Sequence, residues 1–166
     1  MSIRILAILV ASLAAGCSSS DRQTTDPTIA AGQVTITLPK TTYSTSDLSP
    51  SSGQGVRATL GNAADQPFYS MVGDAFNAAL EQSPLFVAVG SDASIEREEG
   101  SAWVAVTSAH LVEGVKVVSL LPGKSYELIA LASPVTAGRY RIVVAYSDAP
   151  NSAPSRRVVS AIFEVR

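Results

Sequence analysis

The chain has 166 residues, with 12 Lys and Arg against 14 Asp and Glu, for a formal net charge of -2. That balance leaves no basic excess for nucleic acid, and a single cysteine allows no disulfide within the chain. Aromatic residues make up 6% of the chain, too few to wall a sugar-cleaving cleft, and the length suits one domain with a packed core.

The N-terminus opens with one positive charge, Arg4, followed over residues 5–15 by an uncharged, mostly aliphatic run. The run is too short to span a bilayer, which takes about 20 apolar residues, and its length suits the core of a signal peptide. Small residues Ala14, Ala15 and Gly16 then precede Cys17, the only cysteine. This arrangement resembles the lipobox of bacterial lipoproteins, with Ala14 standing where that family most often has Leu. The resemblance implies cleavage before Cys17, a diacylglycerol on its thiol and acylation of the new amino group. Residues 1–16 are then a leader, and its loss takes the net charge from -2 to -3, because Arg4 goes with it. Two or three acyl chains hold a protein at a membrane far better than one, at ~0.8 kcal/mol per buried methylene. Ser18, in place of the Asp that tends to retain such proteins at an inner membrane, points to an outer membrane in a cell that has one. Residues 17–32 carry the lipidated cysteine and a polar stretch of Ser, Thr and Asp with Pro27. Their composition predicts a flexible tether, with an r.m.s. span of about 20 Å.

From residue 33 onward the apolar period is two, which predicts strands. Val34, Ile36 and Leu38 share one face, and Pro39 ends the run. Residues 40–54 are polar, with Pro50 and Gly53, and read as a loop docked through Tyr43. Val56, Ala58 and Leu60 are expected inward, with Arg57 and Thr59 outward. Residues 67–71 form the next strand. Residues 74–82 break the pattern: Phe76 and Leu80 stand four apart, Asp74 can cap and Pro84 stops the run, so a short helix is expected. Residues 85–89 are apolar and strand-like. Residues 95–98 and 101–106 predict a hairpin turning at Gly100, with Trp103 placed against the core. Strands follow over 115–121 and 125–131, the second with Tyr126, Leu128 and Ala130 on one face. In 139–146, Tyr140, Ile142, Val144 and Tyr146 form the inward face. Residues 147–155 are a proline-bearing loop. In 158–165, Val159, Ala161, Phe163 and Val165 are expected inward, with Ser160 and Glu164 outward.

Eight to ten short strands punctuated by Gly and Pro predict an all-β, antiparallel sandwich over residues 33–166, with one helical insertion. Leu120, Pro122, Gly123 and Tyr126 have the L-x-P-G-x-x-Y spacing of the tyrosine corners in fibronectin type III and related sandwiches. The stretch 137–141 is similar to a strand start common in bacterial immunoglobulin-like domains. Gly100 with Trp103, and Ser160 with Phe163 and Val165, fall where such domains place comparable strands. The resemblance implies an immunoglobulin-like sandwich, and leaves open whether Tyr126 or Tyr140 makes the corner hydrogen bond.

The chemistry-bearing residues form no catalytic, cofactor-binding or metal-ligating set. His110 is the only histidine; it has no partner for zinc, which takes three or four ligands, and reads as a solvated loop residue. Glu96 and Glu98 share a strand face, with Glu99 beside them, and read as a charged, soluble hairpin. Asp65, Asp74 and Asp92 offer loop oxygens of the kind calcium takes, without the spacing of a calcium loop. No G-x-S-x-G elbow and no glycine-rich phosphate loop occur. The expectation is a non-enzymatic lipoprotein of the cell envelope, joined to the membrane by acyl chains on Cys17. Its partner would be a protein or polymer, with no nucleic acid and no cofactor. The alternative is an inhibitor comparable to the sandwich-fold intracellular proteinase inhibitors of bacilli, presenting residues 40–54 or 147–155.

Overall fold

In the computed structural model, which describes residues 34–49, 55–74, 84–108 and 114–166, the period-two stretches become strands. The leader, Cys17, the tether, residues 50–54, the expected helix beyond Asp74 and His110 lie outside the described residues. Asp74 is the last residue of a strand.

In chain order the elements are β1 (Val34–Thr37), β2 (Thr42–Tyr43), α1 (Thr45–Leu48), β3 (Val56–Asn62), β4 (Phe68–Asp74), β5 (Leu85–Phe86), β6 (Ala93–Glu99), β7 (Ala102–Val106), β8 (Val115–Leu120), β9 (Ser125–Ala130), β10 (Gly138–Tyr146), β11 (Arg156–Val159) and β12 (Phe163–Val165). They form a two-sheet sandwich. The first sheet runs β1-β3-β9-β5-β4-β8, and the second runs β2-β12-β10-β6-β7, with β11 also paired to β10. Most pairs are antiparallel; β5 with β9 and β2 with β12 are parallel, so both sheets are mixed.

The core lies between the sheets and is filled by the inward faces that the alternation predicts. Val34 and Ile36, then Val56, Ala58 and Leu60, are buried from the first sheet; Tyr140, Ile142, Val144 and Tyr146 are buried from the second. Each buried side chain of this size contributes about 1.5–3 kcal/mol relative to exposure. The rings interlock: Phe163 lies between Tyr43 at 5.2 Å, edge-on, and Tyr140 at 5.9 Å, stacked, while Phe68 meets Tyr146 edge-on at 5.1 Å.

Strand β4 joins the two sheets because its inner edge is divided among three partners. Tyr69 exchanges main-chain bonds with Ser147, at 3.0 and 2.8 Å, just past β10. The Met71 amide donates to the Asp92 carboxylate at 2.7 Å, and the Asp92 amide donates to the Met71 carbonyl at 2.6 Å, just ahead of β6. Gly73 then pairs with Phe86 of β5.

Three stretches depart from the sequence reading. The expected 40–54 loop contains β2 and the single turn α1, whose first turn is fixed by the Ser44 amide donating to Asp47 at 2.8 Å. That amide, and then the Lys40 ammonium, hold the Asp47 carboxyl below the usual carboxylate range. Tyr43 docks this segment as expected. Of residues 85–89 only Leu85 and Phe86 are strand; Val87 and Ala88 stay buried, and Val89 turns outward, 71% exposed.

The third departure is in 158–165, where the alternation changes phase. Val143 pairs with Val159, yet Tyr140 pairs with Phe163, so residues 160–162 stand opposite Arg141 and Ile142 alone. That extra residue is a β-bulge. Val158 and Ser160 therefore point inward with Phe163 and Val165, while Val159 is half-buried and Ala161 exposed. Ser160 fits inside because its hydroxyl replaces a ladder partner, accepting from the Ile142 amide at 2.9 Å and donating to the Ala161 carbonyl at 2.7 Å.

Candidate functional site

The most organised polar surface lies on the outer face of the second sheet. In β6, Ala93 and Ile95 enter the core, so Ser94, Glu96 and Glu98 face out. In β10 the inward tyrosines and aliphatics leave Arg139 and Arg141 on that same outer side. Arg141 stands directly opposite Glu96 and donates to it from Nε at 2.7 Å and from Nη2 at 2.6 Å. Arg139 meets Glu98 at 2.5 Å. The Arg141–Glu96 pair is largely shielded, with 19% and 16% of the two side chains exposed. Truncating either partner would strand the other charge, so the geometry favours keeping both.

Trp103 belongs to this face and not to the core. It pairs across β6 with Glu98, so its ring projects outward and lies 4.3 Å from the Arg141 guanidinium. Arg141 is held between an indole face and a carboxylate, a cation–π contact on one side and a charged hydrogen bond on the other. The reversal has a simple cause. Position 103 stands directly across from Glu98, and a strand pair sends facing residues to the same side. A large aromatic pulls a sequence reading toward the core, but its register partner was legible as outward.

Glu96 and Glu98 thus share a face, as the sequence predicts, and each is neutralised by its own arginine. Glu99 pairs with Arg97, which also reaches Thr136 from the opposite face. Each of the Glu96 and Glu98 carboxylates is committed to an arginine on the outer face of the sheet, whereas a sugar-cleaving acid and base flank the bond they cut. The arginines were the unread half of this arrangement. Their signal was the alternation Arg139, Tyr140, Arg141, Ile142, which matches in period the Glu96 and Glu98 positions.

No family model, curated protein or solved structure matches the chain. The surface must therefore be judged on its own chemistry.

The aspartates are placed apart in role. Asp92 spends one carboxylate oxygen on the Met71 amide and is a fastening between sheets. Asp65 is exposed in the turn after β3, and Asp74 sits at the end of β4. Among the described residues no group of three or more His, Cys, Asp or Glu is arranged to hold a metal ion. Also among them, no helix is long and apolar enough to cross a membrane.

Both tyrosines left open by the sequence bond back to main chain. Tyr126 Oη donates to the Ser119 carbonyl at 3.0 Å and accepts from the Leu121 amide at 3.2 Å. Tyr140 Oη donates to the Thr136 carbonyl at 2.7 Å, four residues upstream. Tyr140 is buried near the start of β10, and its ring lies in the core while its hydroxyl closes the preceding turn.

A shallow cleft of about 370 Å³ opens on the outer face of the first sheet. Tyr69, Met71 and Val117 line it with Asn151 and Pro154 of the 147–155 loop. That loop is braced by Ser147 Oγ donating to the Ala149 carbonyl at 2.7 Å, the Ser155 amide donating to Tyr146 at 3.1 Å, and an Arg156–Asp148 ion pair at 3.0 Å. Asn151 takes a left-handed φ of 60°, a conformation asparagine tolerates better than most residues.

Proposed function

We propose that this chain is a lipid-anchored, non-catalytic module of the cell envelope, held by acyl chains on Cys17 and acting by contact with a protein or polymer partner. The observation that carries the reading is the position of the only cysteine, directly after an apolar run and three small residues. The sandwich is a fitting cargo, because it is stabilised by a core that needs no disulfide and so leaves the one thiol to the anchor. The immunoglobulin-like reading draws support from the Tyr140 hydroxyl bonding four residues back, as tyrosine corners do. A fold of this kind hosts many functions, so the reading of binding over catalysis rests on charged groups that are already paired with one another.

Cys17→Ser is the test. The parent is expected to partition into a detergent phase and to take up a labelled fatty acid in cells; the variant is expected to do neither. Detergent partitioning of the variant equal to the parent's would overturn the anchor.

A second reading, a proteinase inhibitor, is favoured by one feature: the exposed 147–155 loop is held at both ends and across its base. Titration of serine and metalloproteinases with the Cys17→Ser chain tests it, and a stoichiometric loss of proteolysis that vanishes on shortening the loop is the outcome that supports it.

A further inference from the structure

The shallow cleft beside the 147–155 loop has apolar walls and a single charge. Phe68, Ser70 and Val72 of β4 are buried, so Tyr69 and Met71 face out. Val117 stands opposite Met71 in register and therefore on the same side, and it is 44% exposed. These three side chains and Pro154 bound the space of about 370 Å³. Among the described residues, Asp92 is the one charged residue that lines it.

Asp92 is only half used. Its Oδ2 accepts from the Met71 amide at 2.7 Å. Among the described residues no donor reaches Oδ1, and no basic side chain pairs with the carboxylate. Other carboxylates are met within the molecule: Glu96 and Glu98 by arginines, and Asp148, at the base of the same loop, by Arg156. The Tyr69 ring is also without a cation among the described residues, whereas Tyr43, Phe68 and Trp103 each have one.

We infer that this cleft receives a lysine side chain presented by a peptide segment of a partner protein. The methylene stem lies along Met71, Val117 and Pro154, as such stems do on apolar surface. The ammonium meets the free Asp92 oxygen in a charge-assisted hydrogen bond and the Tyr69 ring in a cation–π contact. With Oδ2 committed to Met71, the two-point contact in which arginine excels is not on offer, and a single-point ammonium fits better. A wholly apolar occupant would cover the Asp92 charge without pairing it, which is costly, and an anionic one would be repelled. Free small molecules take pockets that enclose most of their surface; a shallow cleft suits a side chain projecting from a larger body. The site is also formed in advance. Asp92 and Met71 exchange bonds, and the loop that carries Asn151 and Pro154 is braced at its base, so binding orders little further. The inference rests on the partner-binding half of the proposed function and is independent of the anchor.

The test uses the full chain carrying Cys17→Ser and the probe N-acetyl-lysine N-methylamide, followed by amide NMR shifts. Shifts are expected at Tyr69, Met71, Val117 and Asn151. N-acetyl-norleucine N-methylamide, which has the same stem without the charge, is expected to bind at least about tenfold more weakly. Asp92→Asn keeps an oxygen for the Met71 amide and removes the charge, and a similar loss of about tenfold is expected. Asp65→Asn removes the same charge from an exposed turn outside the cleft and is expected to leave the affinity unchanged. Val117→Lys sets a competing ammonium on the wall and is expected to abolish binding with the thermal melt unchanged. Equal binding of the norleucine probe overturns the inference, as does an unaffected Asp92→Asn chain or an equal loss in Asp65→Asn. Tighter binding of N-acetyl-arginine N-methylamide overturns the choice of lysine. In cells, with Cys17 present, a partner crosslinked equally by the parent and the Val117→Lys chain would overturn the cleft as its seat, while partner binding itself would stand.

Discussion

Two aromatic residues that look alike in the sequence have opposite environments. Tyr140 is fully buried, stacks on Phe163 and bonds to Thr136. Trp103 rests on the outer face against Arg141. Tyr140→Ala is expected to destabilise by about 3–5 kcal/mol, as aromatic truncations in cores do. Trp103→Ala should cost only about 1 kcal/mol, near the worth of an exposed cation–π contact. Chemical denaturation of the two variants separates them, and similar losses would place Trp103 in the core after all. Strict alternation made Tyr140 legible, because its neighbours Arg139 and Arg141 mark the outward side. Trp103 was not legible from its size, because its register opposite Glu98 sets its side of the sheet. The pairing of Glu96 with Arg141 was not legible, since it joins residues 45 apart along the chain.

At the scale of elements, inward faces were readable wherever period two ran unbroken, as in β3, β9 and β10. They were lost where the chain gained a residue. Nothing in the run from Val158 to Val165 announces a bulge, because small and apolar residues occupy both phases. The one clue is Ser160, a polar residue that can substitute for a main-chain partner. Ser160→Ala leaves the Ile142 amide without its acceptor in a buried position and is expected to cost about 1–3 kcal/mol. A melt within a few tenths of a kcal/mol of the parent would mean that the hydroxyl does not hold the bulge. Short elements were also hard to see: β2 owes its existence to a parallel pairing with β12, a contact with no local sequence signature.

For the molecule as a whole, the all-β sandwich was legible from strand count and turn residues, while its order of strands was not, because pairing partners are remote. Its behaviour in alkali follows from two buried phenols. Burial pushes both Tyr43 and Tyr146 above the ordinary value of 10.0. At Tyr43 the nearby Lys40 main chain draws the value partly back, yet among the described residues the hydroxyl finds no partner that meets hydrogen-bond geometry. A folded pKa above the unfolded one means that the unfolded chain loses its protons first, so stability is whole below about pH 10 and falls as pH rises from there toward the folded values. Denaturation midpoints taken between pH 8 and 12 should show that fall, and Tyr43→Phe should lessen it; a fall of equal steepness in the variant would exclude Tyr43 as a source. The edge position of β1 has a mechanical meaning. Tension applied to the chain ahead of Val34 enters the domain through a four-rung ladder, Val34 on Asn62 through Thr37 on Thr59. The strand gripped on one side only is the first to feel a pull from that end, so load is met by peeling a single short ribbon before it reaches the rings packed around Phe163.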